Sequence, residues 1–515
     1  MTLKKTLLTG ALLATVPFVG AGCDGFLDVN DDPNVAGEGD VPDGLLFTSA
    51  VLNYGASRTI EVGPGGNFFA QYWSSSGSAG VFLNPERYTI SPFTTNNWFR
   101  TLYTDALSNL SIIVDQAESA TVPRPAAAGQ AKVMLGMTYL DATISFGAVP
   151  FTEALQGRED TETALTPKYD DQLVVLRGIA DLMDEAIADL AAGGTSLGRG
   201  DVIYDNDLTK WRRFASSVKL NALVLLRAGG QSVDSEIDAL IANNDLLIRS
   251  NVDNALLPFD GSTRNPYFVL LDNFASGANA FLASASTAVD LMNDLEDPRR
   301  ATYINPRANG TFEGAVPGTN AYGSGDFVRV ETLLSEDTPE RLMTADQTLL
   351  LVAEYLADKG RIADAQSLYE AGIRASFEYW SRDGVGTSGT WDFNNDGFGQ
   401  DDGTDVDDYI ASLTLLSDNS DDNAVNKVQQ QLYIAMFGRG LEGWTLARRG
   451  DPEAGADDDG FIQRTVPIDV RPGLNGLINR YPYPVQETTT NPNTPRISND
   501  DLLLKMPFQT PGSNL

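Results

Sequence analysis

Three groups of residues in this chain have a chemistry legible from their kind and order. The first surrounds Cys23, the only cysteine of 515 residues. Lys4 and Lys5, an apolar run over 7–19 and the small residues Gly20, Ala21 and Gly22 precede it. That order is a charged n-region, an apolar h-region and a small-residue cleavage site, so residues 1–22 read as a signal peptide whose removal leaves Cys23 as the lipidated N-terminus. The apolar run is too short to span a bilayer, which takes about 20 residues. Gly20 departs from the leucine usual three places before a lipidated cysteine. The competing reading, an ordinary secreted protein, leaves a lone thiol without a disulfide partner in an oxidising compartment. Acylation of Cys23 removes that liability and anchors the chain, at about 0.8 kcal/mol per buried CH2.

The second group, Asp392, Asn394, Asp396 and Gly397, opens like a calcium loop, with oxygen donors alternating along the chain and glycine allowing a sharp turn. Gly403 occupies the place of the closing carboxylate; Asp401, Asp402 or Asp405 would have to replace it. The competing reading is a solvated acidic loop in an Asp-rich chain. Calcium held here would be structural, and no other cofactor is implied.

The third group is aromatic: Phe68, Phe69, Tyr72, Trp73, Phe82, Tyr88, Trp98 and Tyr103. Sugar rings pack their C–H faces on aromatic planes, and an amide such as Asn84 fixes hydroxyls, so aromatics beside a Gly/Ser-rich loop suit glycan binding. Trp98, Tyr103, Phe69 and Tyr72 fall in helical-looking segments and read as core. Trp73, Phe82 and Tyr88 edge or occupy the loop and are the better-placed candidates.

Composition narrows the chemistry further. Histidine is absent, which excludes Ser-His-Asp and Cys-His nucleophile systems and imidazole zinc sites. Lys and Arg number 36 against 70 Asp and Glu, a net charge of −34, which repels nucleic acid and anionic membrane surfaces and suits a protein working at high salt. Glu442 with Trp444, Arg448 and Arg449 resembles an acid beside a cationic clamp, but charges pinning a helix to loops account for it. With so many acids, no carboxylate pair stands out as glycosidase machinery. No phosphate-binding or dinucleotide fingerprint occurs.

The scaffold reads as mainly α-helical with long irregular connections and minor β structure. Apolar residues recur at helical spacing over 131–146, 173–190, 211–226, 349–356, 363–379 and 428–446. Stretches rich in Gly, Ser, Asn and Asp over 63–92, 305–326 and 383–408 read as loops. Leu349, Val352, Ala353, Leu356, Gly360, Ala365, Tyr369 and Gly372 follow a tetratricopeptide repeat, with Gly360 at the turn and small residues where two helices approach. The clearest repeat lies in 345–380; 131–146 with 173–190, and the stretch after 211, are further candidates. Since a repeat buries its apolar face only against neighbours, one domain over 23–515 is expected.

Shorter motifs, in order along the chain, resemble the SusD/RagB family of outer-membrane nutrient-binding lipoproteins. The start from Cys23 through Phe26, Leu27, Asp28, Asn30, Pro33 and Asn34 resembles C-x-x-[FL]-L-D-x-N-x-x-P-N. Phe146, Gly147, Val149, Pro150 and Phe151 resemble F-G-D-V-P-Y; Pro167, Tyr169, Asp170 and Gln172 resemble P-x-Y-D-x-Q. Lys210, Trp211, Arg213, Phe214 and Ala215 resemble K-W-x-K-F-A-N, and Asp297, Pro298 and Arg299 resemble D-P-R. Glu442, Trp444, Arg448, Arg449, Arg480, Tyr483 and Pro484 continue the order, while the family's Trp-rich tail is missing.

The resemblance implies a tetratricopeptide-like helical superhelix covered by loops, lipid-anchored in the outer membrane and facing the cell surface. It implies a protein that is not an enzyme, holding an oligosaccharide over a SusC-like TonB-dependent transporter. It also adds Asn265, Tyr267 and Asn273, from a region whose loops the family uses, to Trp73, Phe82, Asn84 and Tyr88 as ligand contacts. Two alternatives are a peptide-binding member of the same family and a tetratricopeptide-type scaffold that binds only proteins.

Overall fold

Helices carry the fold in the computed structural model of the protein, and among the described residues four short strands are added to them. It describes residues 41–76, 82–157, 162–243, 246–275, 282–304, 306–307, 309–319, 335–380, 404–418, 422–450, 460–498 and 500–509. Cys23, the signal peptide and the calcium-loop candidates Asp392, Asn394, Asp396 and Asp401 lie outside these residues. The described residues from Asp43 onward belong to one unit.

The helix Pro125–Phe146 is buried on almost every side. Pro125 opens it, where a missing N–H costs nothing. The helix packs on Gln172–Ala192 and on Leu208–Ala228, whose starts are capped by Asp171 and Asp207 accepting from backbone N–H groups. Small residues let the axes approach. A Cβ at Gly129 would stand 2.7 Å from Leu190 Cγ.

The pair Ala345–Asp358 and Ile362–Trp380 turns at Gly360, whose φ of +71° favours glycine. Gly372 then meets Leu350, where an added Cβ would lie 2.6 Å from its Cγ. Each large apolar side chain buried in such a seam contributes about 1.5–3 kcal/mol.

Two segments differ from the periodicity reading. The apolar pattern over 428–446 is two helices, Ala424–Ala435 and Gly440–Gly450, because the chain turns at Gly438 with φ +81°. The glycine-rich start of 63–92 is a helix, Gly63–Ala70. Pro64 sits in its first turn, and Gly66 packs backbone to backbone on Gly440. No larger residue fits at that crossing: a Cβ on Gly66 would lie 2.6 Å from the Gly440 carbonyl carbon.

The strands form two antiparallel pairs. β1 (Trp73–Ser75) pairs with β3 (Leu282–Ser284), with Trp73 opposite Ser284. β2 (Ala255–Leu257) pairs with β4 (Glu340–Met343) through a bulge between Ala255 and Leu256.

Candidate functional site

Segments distant in sequence meet at one cleft, which encloses about 700 Å³ including its solvent-open mouth. Its walls hold Arg58, Asn67, Trp73, Tyr267, Glu340 and Trp380, with Asn265, Arg341 and Arg439 beside them.

The aromatic wall is built by β1. The helix Gly63–Ala70 ends at Gln71 in the left-handed conformation, φ 63°, which turns the chain into the strand. Gln71 accepts from Thr287 Oγ1 at 2.6 Å and from the Thr465 N–H at 3.1 Å, fixing that turn. Behind the strand, buried Glu86 accepts from Ser74 Oγ at 2.6 Å and from the Ser75 N–H at 3.0 Å. Burial pushes the Glu86 carboxyl up to about 7, against the hydrogen bonds that favour its charge.

Trp73 then stacks on Tyr267, ring centroids 5.6 Å apart and planes 5° from parallel. Tyr267 is set by its neighbour: Asn265 Oδ1 accepts from the N–H groups of Tyr267 and Phe268, starting the helix Pro266–Ala275. The nitrogen of the same amide donates to Thr338 O at 2.8 Å.

The polar wall centres on Arg58, which opens the π-helical turn Arg58–Val62. Such widened turns are frequent at functional sites. Its Nε donates to Asp141 Oδ2 at 2.7 Å, Nη2 donates to Glu442 Oε1 at 2.5 Å, and Nη1 pairs with Glu340. Burial works against the Arg58 charge, but these carboxylates outweigh it and hold the group firmly protonated. Burial would likewise raise Glu442; Arg439 and Arg58 reverse this and hold it below the ordinary carboxylate value. The turn at Gly438 delivers Arg439, which donates to Glu442, Gln347 and Thr344. Arg341, from β4, lies over the Trp380 ring at 5.0 Å and donates to Phe437 O.

Four uncharged polar atoms of these walls are buried without a hydrogen-bond partner among the described residues: Trp73 Nε1, Trp380 Nε1, Tyr267 Oη and Asn67 Oδ1. Buried polar groups are normally paired, at a cost of about 1–3 kcal/mol otherwise, and these four belong to side chains that line the cleft.

Of the residues singled out in the sequence, Trp73, Asn265 and Tyr267 come together here. Asn265 is already committed as a helix cap. Phe82 packs behind Tyr267 at 6.3 Å and does not line the cleft. Tyr88 is buried against Phe69, 5.9 Å between centroids. Asn84 and Asn273 are exposed, away from the lining. Arg58, Asn67, Glu340, Arg341, Trp380 and Arg439 were not signalled by sequence. A lone arginine before Thr59 and an acid–base pair at Glu340 and Arg341 look like ordinary surface charge until the folded chain buries them.

The SusD-like family described as "Starch-binding associating with outer membrane" matches residues 38–467. The chain belongs to the SusD-like family. Solved structures share this SusD-like fold. A chitin-binding protein superposes with a TM-score of 0.68 at 22% identity, over 87% of this chain and 94% of its own. A chitin-binding SusD homolog from Flavobacterium johnsoniae gives 0.68 at 17% identity, over 90% and 99%. A SusD homolog from Parabacteroides distasonis gives 0.69 at 20% identity, over 92% and 98%. No curated protein matches the sequence. Among the described residues, no helix of this SusD-like protein is long and apolar enough to cross a membrane.

Proposed function

We propose that this SusD-like protein binds an oligosaccharide in the cleft between Trp73, Tyr267 and Trp380 and delivers it to a SusC-like TonB-dependent transporter of the outer membrane. The observation that carries the reading is the stacked Trp73–Tyr267 pair, bordered by buried polar atoms that lack partners. Aromatic rings with sparse, fixed polar groups suit a sugar, whose faces are apolar and whose rim is hydroxyl. Family membership and the two chitin-binding structural relatives support the same direction. Among the described residues, Glu340 and Glu442 are both engaged by arginines, which favours binding over bond cleavage.

The test is retention on polysaccharide gels of the protein and of Trp73→Ala. Retention by starch or chitin derivatives is expected, reduced about tenfold or more in the variant; equal retention of the two proteins would remove the cleft from the proposal.

The anchor remains part of the reading: acyl chains on Cys23 would keep the protein at the outer membrane beside its transporter. Intact-mass measurement of membrane-extracted protein should show those chains, and an unmodified Cys23 would end that part. The loop with Asp392, Asn394, Asp396 and Asp401 is proposed to hold structural calcium. Calorimetric titration of chelator-stripped protein should show heat by millimolar calcium, and a flat trace would dismiss it.

A further inference from the structure

The charges at the cleft balance, and the balance is local. Three guanidiniums border it, those of Arg58, Arg341 and Arg439. Three carboxylates match them in number, those of Asp141, Glu340 and Glu442; all three stand on Arg58, Glu442 also on Arg439, and none on Arg341. Arg58 spends its nitrogens on all three acids. Arg439 is held by Glu442, Gln347, Thr344 and Leu342 O, and Arg341 is stacked on Trp380 and bonded to Phe437 O. Of the charged groups that meet at the cleft, Arg439 Nε and Glu442 Oε2 are buried without a hydrogen-bond partner among the described residues, and they are of opposite sign.

Exposure breaks the tie. The Glu340 side chain is 17% exposed, against 4% for those of Arg58 and Arg439. Its Oε2 accepts only the long 3.2 Å bond from Thr59 Oγ1. A ligand entering the cleft therefore meets a carboxylate before it meets a cation. The neutral groups waiting beside it are two indole N–H donors, one phenol that donates and accepts, and one amide oxygen. Sugar hydroxyls and acetamido groups, which both donate and accept, complement that set. A carboxylate or sulfate fits it less well: it would face Glu340 first, and the one guanidinium of the lining that carries no carboxylate, Arg341, is 8% exposed and engaged by Phe437 O and the Tyr379 and Trp380 rings.

We propose that the cleft admits uncharged sugars and rejects uronic, sialic and sulfated ones, with Glu340 as the discriminating residue. The inference rests on the glycan-binding reading above. The molecular charge of −34 acts in the same direction at long range, and salt separates the two effects.

The experiment is a glycan microarray carrying neutral and anionic oligosaccharides, probed with the labelled protein at 0.1 and 1 M NaCl. Binding confined to neutral glycans at both salt concentrations is expected, because exclusion by Glu340 acts at contact and is little screened. Anionic glycans bound by the protein and lost in Trp73→Ala would overturn the selectivity while leaving the glycan reading intact. An array with no binding at all would overturn both. Glu340→Gln, which still accepts from Arg58, should weaken neutral binding about tenfold and raise the anionic signal. An unchanged ratio in a variant with an unchanged unfolding midpoint would remove Glu340 from the role. Should the variant not fold, the array with the unaltered protein still decides the selectivity.

Discussion

Glu86 shows how one buried acid ties stability to the site. Its oxygens hold Ser74 and Ser75, and so the strand that presents Trp73. Burial, outweighing the bonds from Ser74, Gly318 and Ser75 and the charge of Arg87, raises its carboxyl to about 7, while an unfolded chain returns it to the ordinary value. Between those two values the folded state binds more protons than the unfolded state, so this group lowers stability as pH rises from about 4.5 to 7 and has no further effect above. The loss is on the order of 3 kcal/mol. Glu86→Gln, able to accept from the Ser75 N–H and donate to Ser74 Oγ, should remove that slope. Urea unfolding of both proteins at pH 5 and 8 measures it: the variant should gain relative to the unaltered protein at pH 8 and not at pH 5. A gap that stays constant with pH would show that Glu86 titrates normally.

The elements differ in how plainly their sequences announce them. The helix pair around Gly360 was legible because both its cues are local, a 3.6-residue apolar repeat and a glycine at the turn. Trp73 was reachable for a similar reason, lying beside a Gly/Ser-rich stretch, whereas Tyr267 came mainly from the family resemblance, and their mutual stacking from neither. The polar wall was illegible because long-range pairing creates it: Arg58 and Glu442 are 384 positions apart, no local pattern marks Arg58, and the one around Glu442 reads as charges pinning a helix to loops. The break at Gly438 was hidden by apolar periodicity that continues across it. That break sets Gly440 against Gly63 and Gly66, where an added Cβ would lie 2.5 Å from Gly63 O and 2.8 Å from the Gly66 carbonyl carbon. Gly440→Ala should therefore cost about 1–3 kcal/mol and weaken glycan binding by displacing Arg439. Gly360→Ala meets nothing within 4 Å and pays only for its positive φ, about 1–2 kcal/mol, with binding preserved. Parallel denaturation and binding measurements on the two variants separate the effects; equal loss of binding in both would show that the crossing does not position the cleft.

At the scale of the whole molecule, the excess of 70 acidic over 36 basic residues opposes compaction, while the cleft keeps its own charges paired. The two respond differently to salt. Between 0.05 and 1 M NaCl the Debye length contracts to about 3 Å, so repulsion among exposed carboxylates is lost faster than attraction within buried pairs. Exposed pairs such as Arg361 with Asp364 also weaken, but they contribute little at any salt concentration. The thermal midpoint should thus rise by at least about 4 °C across that range, whereas affinity for an uncharged glycan should stay within about twofold, because neither the ligand nor the buried network responds to the ionic atmosphere. Scanning calorimetry and titration on one preparation compare the two quantities directly. A midpoint that rises with a flat affinity fits a solvated acidic shell around a neutral cleft. An affinity for that uncharged glycan that climbs with salt would mean that the cleft itself responds to the ionic atmosphere, and a midpoint that falls would mean that ion pairing outweighs repulsion across the surface.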